Sequence, residues 1–279
     1  MNETAQPKSR RRLFVWTITL FIIAGICAVV APIGWPYVRE QHIIRTIKAG
    51  GGSVATRKGG PAWLRRRVGD KPMQVFDRAA LVHIRKVGIT EAGLVRLSEL
   101  DRLEELSLEA TGVTDAGLAH LSRLTNLKRL YLTETGVSDA GLAHLSGLTN
   151  LKELSLLETG ITDAGLVHLS GLTKLEMLHL DPAVLTDAGL SHIGGLTNLR
   201  QLYLQGTGIT DAGLADLRGL KNLKELSLVE TGITDAGMIH LCELTKLWRL
   251  EIKRTAVTNQ GVAILRPALP GCNILRKND

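Results

Sequence analysis

The chain has 279 residues, of which 44% are hydrophobic, 22% charged and only 4% aromatic, with a formal charge of +7. The hydrophobic fraction excludes a disordered chain, and three cysteines (Cys27, Cys242 and Cys272) exclude a disulfide-dense scaffold. Residues 1–75 carry 13 Lys/Arg against 3 Asp/Glu, which is +10, while residues 76–279 carry 21 against 24, which is −3, so the overall excess gives no support to nucleic-acid binding.

Leu13 to Val38 is uncharged, and its apolar heart, Leu13–Ala31, is 19 residues long. As a helix that stretch spans about 28 Å, close to the roughly 30 Å of a hydrocarbon core. Lys8, Arg10, Arg11 and Arg12 precede it, and Trp35 and Tyr37 stand at its far end, where interfacial aromatics belong. A cleavable signal peptide is the rival reading. The length favours a retained anchor, and Pro32 directly after Val29-Val30-Ala31 disfavours cleavage there. The basic cluster predicts a cytoplasmic N-terminus and an exported C-terminal part.

Residues 39–75 read as a juxtamembrane linker and cap. Val38 to Ala49 can continue a helix with Ile43, Ile44 and Ile47 on one face, ended by Gly50-Gly51-Gly52. After the break at Gly59-Gly60-Pro61, Pro61 to Val68 reads as a short helix. Its Arg65-Arg66-Arg67 run reads as a solvated face, or as a contact for anionic lipid head groups.

From residue 76 a repeat dominates. Thr/Ser-Asp-Ala-Gly begins at Thr114, Ser138, Thr162, Thr186, Thr210 and Thr234, with Thr90-Glu91-Ala92-Gly93 before the set and Thr258-Asn259-Gln260-Gly261 after it. Every interval is 24 residues. Within a unit, Leu130 and Leu132 alternate with polar residues, the period of a strand with one buried face. The same spacing recurs from Leu103/Leu106/Leu108 to Leu247/Leu250/Ile252, with Val82/Ile84 as a first rung and Ile274 as the last. A Thr-Gly-Ile/Val turn follows most of the strands. Thr or Ser then caps a short helix with Asp at its first position, and the helix buries Leu118 and Leu121 at i, i+3 spacing. One unit cannot shelter its own leucines, so stacking must supply the core. Nine rungs give a parallel sheet about 40 Å long.

The unit Ile-Thr-Asp-Ala-Gly-Leu-x-His-Leu…Leu-x-x-Leu-x-Leu-x-x-Thr resembles leucine-rich repeats of the cysteine-containing, F-box-associated kind, and most of all bacterial proteins with tandem 24-residue units. The resemblance covers roughly residues 76–276. It departs from the eukaryotic pattern in having Thr111, Thr135, Thr159, Thr207, Thr231 and Thr255 where a Cys or Asn ladder would stand, and an apolar anchor where an F-box would be. It implies an α/β leucine-rich-repeat solenoid, with the parallel sheet on the concave face and short helices on the convex face, preceded by one transmembrane helix. The resulting division is a basic cytoplasmic tail (1–12), a transmembrane signal-anchor (13–38), a linker and N-terminal cap (39–75), repeats (76–266) and a C-terminal cap (267–279). The family default is binding a protein or peptide. An F-box-like adaptor in a ubiquitin-ligase-style assembly, or lipid binding by the basic juxtamembrane segment, are the alternatives.

No catalytic motif accompanies the repeat: there is no Gly-x-Ser-x-Gly, no phosphate-binding loop and no His-Glu-x-x-His, and nothing interrupts the period to insert an active-site loop. No enzyme, cofactor or small-molecule substrate is therefore expected. His120, His144, His168, His192 and His240 share one repeat position, with Asp216 in the sixth, but rungs hold them too far apart to share an ion, and no metal is expected. The recurring Gly at Gly117 and its equivalents predicts close packing of helix against turn. Thr111 and its equivalents are expected to satisfy buried backbone groups between rungs. Asp181-Pro182-Ala183-Val184, which replaces Glu-Thr-Gly in one unit, reads as drift or as a local change of curvature. The best functional candidate is the concave face, where one column reads Ser107, Tyr131, Ser155, His179, Tyr203, Ser227, Glu251 and its neighbour Glu105, Arg129, Glu153, Met177, Gln201, Glu225, Arg249. Tyr, Met and Arg are enriched at binding surfaces, so the predicted partner-binding strip is Tyr131, Met177, His179, Tyr203 and Arg249.

Overall fold

A computed structural model describes residues 36–180 and 185–276. The apolar run up to residue 35 and the variant turn at Asp181–Val184 lie outside the described residues. No helix among the described residues is long and apolar enough to cross a membrane.

Among the described residues ten strands form one sheet in chain order: β1 (Ser53–Arg57), β2 (Arg78–His83), β3 (Glu105–Ser107), β4 (Arg129–Tyr131), β5 (Glu153–Leu156), β6 (Met177–Leu180), β7 (Gln201–Tyr203), β8 (Glu225–Ser227), β9 (Arg249–Glu251) and β10 (Asn273–Leu275). The nine from β2 onward are parallel, and their register advances by one repeat per strand. Val82 pairs with Leu106, Leu106 with Leu130, and so on to Leu250 with Ile274. A constant period with no insertion admits no other register. The leucines pointing away from the concave side join one continuous core with the helix residues Leu118, Leu121 and their equivalents. Full burial of each is worth roughly 1.5–3 kcal/mol before ordering entropy is subtracted. Within the repeats the helical segments run seven residues at most, as in Asp115–Leu121 and Asp187–Ile193, and several are wholly or partly 3₁₀. Segments this short do not hold as helices in water, so the packed leucines hold them.

The Thr-Asp-Ala-Gly motif is an inter-repeat clasp. Asp115 Oδ1 accepts from the Ser138 amide at 2.7 Å and its Oδ2 from the Ser138 hydroxyl at 2.6 Å. The pattern repeats through Asp139–Thr162, Asp163–Thr186, Asp187–Thr210, Asp211–Thr234 and Asp235–Thr258. The aspartate therefore does more than offset its own helix dipole. It holds the capping residue of the next repeat, and at Thr162, Thr186, Thr234 and Thr258 that hydroxyl also accepts a helix amide. This explains the recurring glycine. A Cβ on Gly141 would lie 2.3 Å from Asp115 Oδ1, so glycine leaves room for the preceding repeat's carboxylate. The first repeat has Glu91 at this position, and the last has Asn259, whose Oδ1 accepts from Arg276 Nη2 of the C-terminal cap at 2.6 Å. A second clasp lies before the strands, where the amides of Asn126, Asn150, Asn198 and Asn222 donate to a carbonyl of the preceding repeat.

The threonine column works differently from the expectation. Each hydroxyl donates within its own repeat, to the carbonyl three residues earlier, as in Thr111 to Leu108 at 2.6 Å and Thr135 to Leu132 at 2.6 Å, and does not bridge rungs. The bond spans a residue in the left-handed region: Ala110, Glu134, Glu158, Glu230 and Arg254 have φ of 52–58°, and Gly206 has 71°; Lys86, at 54°, has the same conformation before Val87 without a threonine. For non-glycine residues this conformation costs about 1–2 kcal/mol, and the threonine bond helps hold it.

The N-terminal cap contains a strand that the sequence reading did not foresee. β1 pairs antiparallel with β2 and covers the open edge of the parallel sheet, a position that otherwise invites another chain. The helix over residues 36–49 packs Ile43 and Ile44 into the repeat core, with Ile47 partly buried against it. Its Glu40 carboxylate accepts from the Ala79 amide and pairs with Arg78 Nε at 3.5 Å. Burial pushes the Glu40 carboxyl above the usual range, outweighing the Ala79 bond and Arg78. The arginine run divides. Arg65 is turned inward, donating to Asp70 at 2.9 Å and to the Gly59 carbonyl at 2.8 Å and pairing with Asp77, so it is a structural strut. Arg66 and Arg67 are exposed, as is Trp63.

Candidate binding face

Strand alternation sends the leucines into the core and the intervening residues onto the concave side. The two outward columns are not loose polar cover, because most of their side chains are fixed by a neighbour on the same or the adjacent strand. Glu105 sits between His83 Nε2 at 2.5 Å and Arg129. Burial raises its carboxyl, but the His83 and Arg129 bonds prevail and hold it below the usual range. Tyr131 donates its hydroxyl to Glu153 Oε2 at 2.7 Å, and burial followed by that bond pushes the phenol well above its ordinary value. Thr133 and Ser155 share a hydrogen bond at 3.0 Å, and Gln201 donates to Glu225 Oε1 at 2.7 Å. Arg249 Nε donates to Glu251 Oε1 at 2.9 Å.

At the centre the His179 and Tyr203 rings meet edge to face, with centroids 4.8 Å apart at 68°. Burial lowers the His179 pKa, only partly opposed by Glu153, so the imidazole is neutral at neutral pH. Burial also raises the Tyr203 phenol. Among the described residues, three buried side-chain atoms have no hydrogen-bond partner: His179 Nε2, Ser107 Oγ and Ser227 Oγ. All three lie on the concave column. A recess of about 400 Å³ runs beside this centre, lined by Met177, Gln201, Glu153, Glu225, Arg200 and Trp248.

The five strip residues are all half-buried on the concave side, but they are not one patch. Met177 and His179 share β6 and Tyr203 follows on β7, so these three form a cluster. Tyr131 lies two rungs away on β4, and Arg249 two rungs the other way on β9, already engaged with Glu251. Glu153 and Glu225, absent from the predicted strip, flank the cluster. Their signal was present as the triplet Glu-Leu-Ser, which recurs at 105–107, 153–155 and 225–227.

The histidine column lies on the helical side. His120 Nε2 is 3.2 Å from Glu91, and His240 contacts Arg218. Among the described residues no group of three His, Cys, Asp or Glu is placed to hold a metal. Cys242 and Cys272 are free, and burial raises both thiols.

A family model described as Leucine Rich repeat matches residues 195–217 and 219–242. No curated protein matches the sequence. Among solved structures, the chain is similar to an internalin C2 from Listeria monocytogenes, with 25% identity and a TM-score of 0.57 over 73% of this chain and 81% of that one. A second internalin from the same organism, inlF, is 23% identical with a TM-score of 0.47, over 76% of this chain and 73% of that one. The parallel one-repeat register, the short convex helices, the matched repeats and the likeness to internalin C2 together give the chain the fold of a leucine-rich-repeat solenoid.

Proposed function

We propose that the chain is a membrane-anchored, non-enzymatic binding module that takes a protein or peptide on the concave sheet. One observation carries the binding reading: the Met177–His179–Tyr203 cluster is half-exposed at the middle of the sheet and its rings are locked edge to face. Side chains already fixed before binding lose little freedom when a partner arrives, which is the condition under which aromatic anchors yield affinity. Tyr131 and Arg249 flank the cluster as outer contacts.

The anchor rests on the sequence of residues 13–38, whose uncharged run has the length of a bilayer span. It places the basic tail in the cytoplasm and the repeats outside. Membrane fractionation of the full chain tests this, and recovery in the soluble fraction would favour an adaptor of the F-box-associated kind. A second reading, contact of the cap with anionic lipid, draws support from exposed Trp63, Arg66 and Arg67 on one short helix. The binding reading is tested by changing Tyr131, His179 and Tyr203 together to Ala. Folding is expected to persist, because these side chains lie outside the leucine core, while capture of a crosslinked partner weakens at least tenfold. Unchanged capture would remove the concave face from consideration.

A further inference from the structure

Across β5–β8 the two concave columns read Glu153/Ser155, Met177/His179, Gln201/Tyr203 and Glu225/Ser227. They place a carboxylate at each end and a neutral ring pair and a thioether in the middle; the nearest cations on the flanking strands, Arg129 beside Glu153 and Arg249 beside Glu225, are bonded to Glu105 and Glu251, so the acidic charge exceeds the basic across β3–β9. Neither Glu153 nor Glu225 is in an ion pair among the described residues. Their hydrogen-bond partners are neutral donors, Tyr131 for Glu153, and Gln201 with the Tyr203 hydroxyl for Glu225, so each carboxylate keeps its charge. The cations just before the strands are diverted: Lys152 lies 2.6 Å and Arg200 3.4 Å from Glu176, and Lys224 stands at the rim. Next to Glu225, Ser227 is only 3% exposed and its hydroxyl has no partner, as is also true of His179 Nε2. Both atoms are shut off from solvent, so recognition at this face rests on the carboxylates and the ring pair.

We infer that this four-strand segment recognises an extended basic segment of the pattern basic–x–apolar–x–basic, with a Lys or Arg at each end reaching Glu153 and Glu225 and an apolar side chain seated on Met177, His179 and Tyr203. The spacing follows from the sheet. The two carboxylates are three rungs apart, about 14 Å, and a chain extended across the rungs at about 3.3 Å per residue covers that in about four residues. Residues two apart in an extended chain face the same way, so the central apolar residue points at the ring pair when both cations point at the sheet. The carboxylates also select against acidic segments. The proposal rests on the concave-face reading and adds the chemistry of the partner.

The test uses the full chain in nanodiscs of neutral lipid and three labelled peptides built on Lys-Thr-Phe-Thr-Lys, with Lys replaced by Glu in the second and by Ser in the third, followed by fluorescence anisotropy. The Lys peptide is expected to bind at least tenfold more tightly than either of the others, and the double variant E153Q/E225Q to lose at least tenfold for the Lys peptide alone, with an unchanged melting temperature. Equal binding of the Glu or Ser peptide, indifference to E153Q/E225Q, or no binding of the Lys peptide overturns the inference. The triple Ala variant at Tyr131, His179 and Tyr203 separates it from the parent reading. If the Ser peptide binds as well as the Lys peptide and both are lost in the triple variant, the face binds without basic selectivity. If peptides bind and the triple variant changes nothing, the face itself is wrong.

Discussion

Alanine at Gly141 is expected to destabilise the protein, against the ordinary preference of helices. In a helix interior, Gly to Ala gains up to about 1 kcal/mol. Here the new Cβ would meet Asp115 Oδ1 at 2.3 Å, so either the helix shifts or the carboxylate leaves the Ser138 amide and hydroxyl that it accepts from at 2.7 and 2.6 Å. Forcing a methyl group into a filled site costs about 1–3 kcal/mol. Setting that cost against the propensity gain leaves a net loss of up to about 2 kcal/mol. Asp115→Ala alone gives up the two bonds, and because the pair is only partly buried the cost is about 1–2 kcal/mol. In the double variant the obstructing oxygen is gone, and the tightest remaining neighbour of the new Cβ is Val137 Cγ1 at 3.0 Å, the end of a side chain that can move. Gly141→Ala should therefore turn neutral or stabilising in the Asp115→Ala background, a coupling of about 2 kcal/mol between neighbours. Urea denaturation followed by circular dichroism on the four members of the cycle measures it. If Gly141→Ala has the same effect with and without Asp115, the carboxylate does not dictate the glycine and the clasp explanation fails.

Leu130→Asp places an unpaired charge in the fully buried middle of the stack and is expected to abolish the cooperative melt, at a cost of several kcal/mol; a wild-type melting curve would refute the rung assignment. Glu40→Gln should raise stability near neutral pH, because the burial that lifts the Glu40 pKa penalises its charged form. A folded-state pKa above the unfolded value means that lowering pH relieves the wild type, so the advantage of the Gln variant should shrink as pH falls through the raised pKa, and a constant difference in melting temperature across that range would be the wrong outcome. Arg65→Ala should loosen the N-terminal cap while Arg66→Ala leaves it intact, since only Arg65 ties Asp70, Asp77 and the Gly59 carbonyl together; equal hydrogen-exchange protection of β1 in the two variants would show otherwise.

The sheet, its register and the buried leucines were legible because a fixed 24-residue period leaves a stack only one way to align. The reasons for the motif residues were less so. Asp115 could be read as a helix-start charge and Thr111 as a bridge between rungs, since spacing along one chain does not say which repeat a side chain reaches. The left-handed turn was hidden because Gly206 alone among its described equivalents is a glycine, the others being Lys, Ala, Glu or Arg. β1 was missed because Ser53–Arg57 is short, lies between two glycine breaks and has no repeat partner, so its pairing with β2 is tertiary information. On the binding face, composition picked out the rings at Tyr131, His179 and Tyr203 but not their spacing into a cluster and an outlier. The acidic flank is not evident from the sequence because a glutamate on a solvated strand is unremarkable until the arginines beside it are seen to be bonded to other glutamates.

A photo-crosslinking amino acid placed at Tyr203 on the concave side, and separately at Ile239, exposed on the Asp235–Leu241 helix, puts the whole interpretation at risk in one experiment. With the full chain expressed in its native host, a defined adduct should form from the Tyr203 position and not from Ile239. Adducts from Ile239 alone would put the partner on the convex helices and end the case for the concave sheet.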